Sequence, residues 1–151
     1  MSFEHFELDK RLANSSVLIA QADFIQIRLS KDARYPWVLL VPEINDISEM
    51  YELSQEQQYK VLAVSNLVSK ALTEVFSPDK LNIAAIGNIV KQLHIHHVAR
   101  FEYDEAWPAP IWGLGEEKAY APEIFSERVA SICKAIEHEN KGEIHVNYYN
   151  E

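Results

Sequence analysis

Apolar positions along the chain switch between two periods, and the switches predict its elements. Between Phe24 and Leu29, the residues Ile25, Ile27 and Leu29 alternate with polar ones, as in a strand with one buried face. Asp32-Ala33-Arg34-Tyr35-Pro36 reads as a turn. Trp37 to Val41 is a continuous apolar run closed by Pro42, a buried strand paired back onto the first. Residues 43–53 form a connection. Ser54-x-x-Gln57 is a capping box, after which Val61, Val64, Val68, Ala71, Leu72 and Val75 recur at helical spacing. Ser77-Pro78 stops that helix. Lys80 to Ile86 reads as a strand, interrupted by Gly87-Asn88, and Gln92 to Phe101 as another. Residues 102–121 carry Pro108, Pro110, Gly113 and Gly115 and read mostly as loop. Pro122 suits the first turn of a last helix over about 122–140, with Phe125, Val129, Ile132 and Ile136 as its buried face. Ile144, Val146 and Tyr148 alternate as a short terminal strand.

Strands joined by short turns imply an antiparallel sheet. The order of elements predicts an α+β fold of about five strands, with the long helix and the C-terminal helix packed on one face. At 151 residues the chain fits one domain, 1–151, with no repeat or linker.

Composition narrows the function classes. Hydrophobic residues make up 48% and charged residues 25%, an ordinary globular balance. No apolar run approaches the ~18 residues a bilayer requires, and the polar, acidic start Met-Ser-Phe-Glu-His does not read as a signal peptide. The single cysteine, Cys133, rules out an intrachain disulfide and reads as a buried, inert thiol. The expected compartment is the cytoplasm. A net charge of −9 argues against broad nucleic-acid binding. It leaves room for a nucleotide, because a few cations and backbone amides hold a phosphate. Lys91 and Arg100 bracket the segment best placed to do so.

That segment is Gln92-Leu93-His94-Ile95-His96-His97-Val98-Ala99-Arg100. Three of the six histidines fall within four residues. On a strand, Gln92, His94 and His96 share one face, while Leu93, Ile95 and His97 take the other. Four readings compete: structural packing, a metal site, an acid–base pair, and nucleophilic attack on phosphorus. Histidines at i and i+2 can chelate zinc but need further ligands. No Cys pair or His-Glu-x-x-His helix supplies them, and His5, His138 and His145 join no constellation.

Gly87 to Arg100 resembles the signature of the histidine triad (HIT) family, His-φ-His-φ-His-φ-φ with φ apolar, often preceded by Gly-Gln and followed by Pro-Arg. Lys80-Leu81-Asn82-Ile83 resembles the strand before it. Asp32 to Pro42, ending Leu-Leu-Val-Pro, resembles the strand pair that holds the nucleoside. Asp104 to Gly113 resembles a loop of a bacterial branch of the family. The likeness spans about residues 22–115. Departures are Gln92 for the first histidine, Asn88 for the Gln of Gly-Gln, Ala99 for Pro, and Trp37-Val38 where Gly-His often follows the proline.

The resemblance implies a nucleotide hydrolase or transferase in which His94 attacks the α-phosphorus and forms a nucleotidyl-histidine. Substrates of this kind are dinucleoside polyphosphates, adenylated amines and phosphoramidates. His96 and Gln92 complete the catalytic set. Asn88 would contact a phosphate oxygen, Asp32 the ribose hydroxyls, Arg100 the phosphate charge, and Trp107, with Trp112, the pocket. Asp32 reads equally as a turn residue, Arg100 as a strand end and the tryptophans as packing, while His97 reads as packed against the helix layer. No resident cofactor is implied, although magnesium can arrive with the substrate. A C₂ homodimer is implied as well. Because Gln cannot titrate, a nucleotide-binding module with weak or no catalysis is the alternative, followed by a zinc-binding protein.

Overall fold

The computed structural model describes residues 5–149. Its elements in chain order are α1 (Lys10–Ser15), β1 (Ser16–Ala22), β2 (Ile25–Ser30), β3 (Trp37–Pro42), α2 (Gln55–Phe76), β4 (Lys80–Ala84), β5 (Ile95–Arg100), α3 (Pro122–Asn140) and β6 (Val146–Tyr148). The six strands form one antiparallel sheet in the order β4-β5-β3-β2-β1-β6. The sequence predicts about five strands. The addition is β1, whose Ser-Val-Leu-Ile-Ala-Gln-Ala run pairs on both sides, with β2 and β6.

Helix α2 starts where its capping box places it. Ser54 Oγ accepts from the Gln57 amide at 3.1 Å, and Gln57 Oε1 accepts from the Ser54 amide at 2.8 Å. Such a cap is worth about 1 kcal/mol. Ser77 ends the helix in the left-handed region, ahead of Pro78. Residues Val61, Val64, Val68 and Leu72 of α2 and Ile132 and Ile136 of α3 pack with Ile25, Ile27, Val38, Leu40 and Ile95 of the sheet. Both helices therefore cover one sheet face.

The opposite face is covered differently, and this positions the site. Leu39 and Val41 pack beneath Leu12 of α1 and the N-terminal residues Phe6 and Leu8. Val98 packs beneath Tyr35, Ala106 and Ile111 of the loops. Alternation along β5 divides its histidines accordingly. His97 points to the helices, fully buried, and its Nε2 accepts from Ser65 Oγ on α2 at 2.7 Å. His96 points to the loop-covered face. Strand β5 begins at Ile95, so Gln92 and His94 lie in the bend that enters it. Cys133 is buried, and desolvation pushes its thiol up to about 11, as befits an inert packing residue. No helix of the described residues is long and apolar enough to cross a membrane.

Candidate active site

His94 and His96 stand edge-to-face, ring centroids 4.8 Å apart. Their Nδ1 atoms have opposite partners. His94 Nδ1 lies 2.7 Å from the Gln92 carbonyl oxygen. A carbonyl only accepts, so His94 donates from Nδ1, and in the neutral ring its Nε2 carries the lone pair. His96 Nδ1 accepts from the Trp37 indole N–H at 2.9 Å. Burial, then the neighbouring His94 and His97, pushes His96 down to about 3. It is therefore neutral at physiological pH, with its proton on Nε2.

His94 sits where two clefts meet. One, of about 420 Å³, is largely apolar and runs over His96, between Leu12, Trp37, Leu39, Val90 and Trp112. The other, of about 350 Å³, is polar and lined by Gly87, Asn88, Lys91 and Gln92. Both volumes fall in the small-ligand range. Asn88 is exposed at the rim of the polar cleft, where it can meet a phosphate oxygen.

Gln92 serves His94 through its backbone. Its side chain does something else. Gln92 Oε1 accepts from the Asp9 amide at 2.8 Å, and its Nε2 donates to the Glu7 carbonyl at 2.9 Å. The amide thus mimics a strand and fastens residues 7–9 beside the site. Asn45 reinforces this, accepting from the Glu7 amide and donating to the His5 carbonyl.

Three residues expected to meet the substrate are engaged elsewhere. Asp32 lines the apolar cleft, yet its carboxylate is filled by the Arg34 guanidinium, with contacts of 2.8–3.1 Å, and by the Arg34 and Lys118 amides. Burial raises its carboxyl, but these donors outweigh that and hold it below the usual carboxylate range. The oxygens meant for a ribose instead seat the loop that walls the cleft. Arg34 extends the clamp to the Leu114 carbonyl at 2.8 Å. A Cβ at Gly115, where φ is +68°, would come within 2.6 Å of Arg34 Nη1, so this turn requires glycine.

Arg100 is 1% exposed and takes no part in either cleft. It donates to both carboxylate oxygens of Asp104, to Asn82 Oδ1 and to the Ala109 carbonyl. Asp104 in turn accepts from the amides of Phe101, Ala106 and Trp107. Trp107 packs against the Arg100 guanidinium, 5.7 Å from it, while Trp112 lines the cleft, its ring 5.2 Å from His96. These pairings turn Arg100 and Trp107 into loop supports. Alternation places Arg100 on the face of His94 but is silent on which loop covers it.

The sequence marks Trp37-Val38 as a departure beside the base pocket, and the structure places Trp37 in the apolar cleft; Arg34 and α1 are parts of the site that sequence reasoning missed. As for metal, the one group of three ligand-type side chains within reach of each other among the described residues is Glu74, His138 and Glu139. It lies on the exposed surface of α2 and α3, not at His94 and His96.

The comparisons agree with this geometry. The HIT domain family matches residues 11–103. A histidine triad protein from Sinorhizobium meliloti is 39% identical, with a TM-score of 0.84, over 86% of this chain and 96% of that one. One from Bradyrhizobium japonicum is 37% identical, with a TM-score of 0.86, over 88% and 99%. One from Marinobacter aquaeolei is 38% identical, with a TM-score of 0.86, over 89% and 98%. The chain matches no curated protein. Fold, histidine pattern and these likenesses together show that the chain belongs to the histidine triad family.

Proposed function

We propose that the chain is a nucleotide hydrolase or transferase that works through a nucleotidyl-His94 intermediate. The opposite tautomers of two adjacent histidines carry this reading: a lone pair on His94 Nε2 and an N–H on His96 Nε2 face one site. In the first step the His94 lone pair forms a bond to the α-phosphorus. The bond from phosphorus to the leaving oxygen breaks, and its electron pair departs with the leaving group. The ring becomes cationic, and the Gln92 carbonyl accepting from Nδ1 stabilises that charge. The Nε2–H of His96 donates to a phosphoryl oxygen as charge builds there. Water then takes the place of His94 on phosphorus, releasing a nucleoside monophosphate and a proton.

The apolar cleft with Trp37 and Trp112 would receive the nucleoside, and the polar cleft with Asn88 and Lys91 the phosphate and leaving group. This reading calls for no resident cofactor, and magnesium would arrive with the substrate's phosphates. It keeps the cytoplasm as the compartment. It tests by turnover of adenylated and guanylated substrates. Wild-type protein releases the monophosphate, whereas His94→Ala loses at least about 1,000-fold, since removing a nucleophile leaves only binding and electrostatic effects. Equal turnover by the two would contradict His94 chemistry, and no turnover by either would leave a nucleotide-binding module.

A homodimer belongs to the same reading. Strand β4 is a sheet edge, and it exposes Ile83, with Tyr59 and Leu62 exposed on α2. Two copies joined at such an edge satisfy its open backbone groups. Light scattering should give about 35 kDa, twice the 17.4 kDa chain. A mass near that of one chain contradicts the dimer.

A further inference from the structure

The partner of His96 is a donor that cannot reverse. An indole N–H has no acceptor lone pair, and Trp37 Nε1 lies 2.9 Å from His96 Nδ1. Protonating Nδ1 would set two N–H groups against each other. Losing the Nε2 proton would leave an imidazolate. The ring is therefore restricted to one state, with a fixed donor facing the cleft. Among the described residues, Nε2 has no protein hydrogen-bond partner.

The apolar cleft holds no acid free to replace His96, and Lys91, the cation of the polar cleft, is exposed and makes no hydrogen bond to His94 or His96. Trp37 and Leu39 face His96 from β3, Ile111 and Trp112 from the loop, and His94 from its own segment, with His97 adjacent on the far face. The charged groups lining this cleft are Arg11, Asp32, Arg34 and Glu117. Arg11 is paired with Asp9, and Asp32 with Arg34. Arginine does not give up its proton, and Asp32 is held ionised by its donors. The proton on His94 Nδ1 is committed to the Gln92 carbonyl. Gln92, where the family signature has a histidine, cannot titrate.

We propose that Trp37 is a positioning residue that locks His96 as a neutral Nε2–H donor, so that His94 acts on phosphoryl groups whose leaving group departs as an anion without being protonated. The proposal rests on the reaction described above and narrows its substrates to anhydrides and esters of acidic leaving groups. Amines, which must take up a proton to leave, are disfavoured. In balance, the phosphorus–oxygen bond breaks with both electrons going to oxygen, His94 Nε2 forms the new bond, and His96 retains its proton throughout.

Two measurements test it. Nitrogen-15 NMR of histidine-labelled protein without substrate reads the tautomers directly. His94 and His97 should carry the proton on Nδ1, each toward a backbone carbonyl, and His96 alone on Nε2. Trp37→Phe keeps an aromatic ring and removes the donor. The His96 signature should then become mixed and titrate at higher pH, while His97 stays unchanged as the control for folding. A Nδ1–H His96 in the wild type overturns the lock, as does an unaltered His96 in a folded Trp37→Phe variant. The second measurement is kcat/KM for adenosine 5′-aryl phosphates with phenols of graded acidity. It should fall by about 100-fold or more from a nitrophenol to an unsubstituted phenol, the size of the general-acid help that is missing. A flat series overturns the leaving-group selection. If no member of the series turns over, the underlying reaction is refuted, and the tautomer still decides the lock.

Discussion

Mild acid should unfold this protein through histidines that cannot be protonated while it is folded. His97 has no exposure, and burial pushes it down to about 4; burial likewise leads in placing His96 at about 3. An unfolded histidine titrates near 6.5. Below that value the unfolded chain binds two protons that the folded chain does not, so stability falls as pH falls, and the contribution is complete only above about 6.5. Each group contributes about 1.4 kcal/mol per pH unit, giving a slope of about 2.7 kcal/mol per unit for the pair. By pH 5 the loss is about 4 kcal/mol, a large part of the 5–15 kcal/mol of a typical domain. Asp32 and Asp104 are held below the usual carboxylate range, so their loss falls below about pH 3.8 and outside this window. Urea unfolding at several pH values between about 4.5 and 6 measures the slope. In the double variant Ser65→Ala/His97→Leu, which removes both partners of the buried hydrogen bond and leaves no orphan hydroxyl, the slope should drop to about 1.4 kcal/mol per unit. A wild-type stability that is flat across the window, or a double variant with the wild-type slope, refutes the reasoning.

Two other substitutions separate support from chemistry. Gln92→Ala breaks both bonds to the N-terminal segment, at about 1 kcal/mol each; hydrogen exchange at Asp9 should accelerate while the pH–rate profile keeps its shape, because the backbone carbonyl still serves His94. An Asp9 amide that exchanges at the wild-type rate contradicts the staple. Arg100→Met leaves the Asp104 carboxylate buried without its cation and should destabilise by about 3–5 kcal/mol in denaturant unfolding; wild-type stability with a raised KM would return Arg100 to phosphate contact.

These cases show where the sequence is legible and where it stops. Periodicity identifies the helices, and the capping box at Ser54 and Gln57 marks the start of α2 to the residue, because those signals are set by neighbours within one turn. Alternation separates His97 from His96, because strand geometry alone decides the face. What covers a face is a long-range matter. Gln92 meets Glu7 and Asp9 more than 80 residues away, and Asp32 meets the amide of Lys118. Arg100 resembles a phosphate ligand in every local respect until the loop of Asp104 and Ala109 closes over it. Strand β1 escapes because its mixed run follows neither a clean alternation nor a helical period, and its partners β2 and β6 come from opposite ends of the chain. Trp107 and Trp112 share a loop and a composition, and only its path sends one to Arg100 and the other to His96.

The central claim is that His94 bonds to phosphorus. Its most direct test is mass spectrometry of protein quenched in acid-free denaturant during turnover of adenylated and guanylated substrates, followed by peptide mapping. A nucleoside monophosphate adduct is expected on His94, absent in His94→Ala and short-lived in the wild type. Turnover with no adduct on any histidine, or an adduct on His96 or His97 in place of His94, would contradict it.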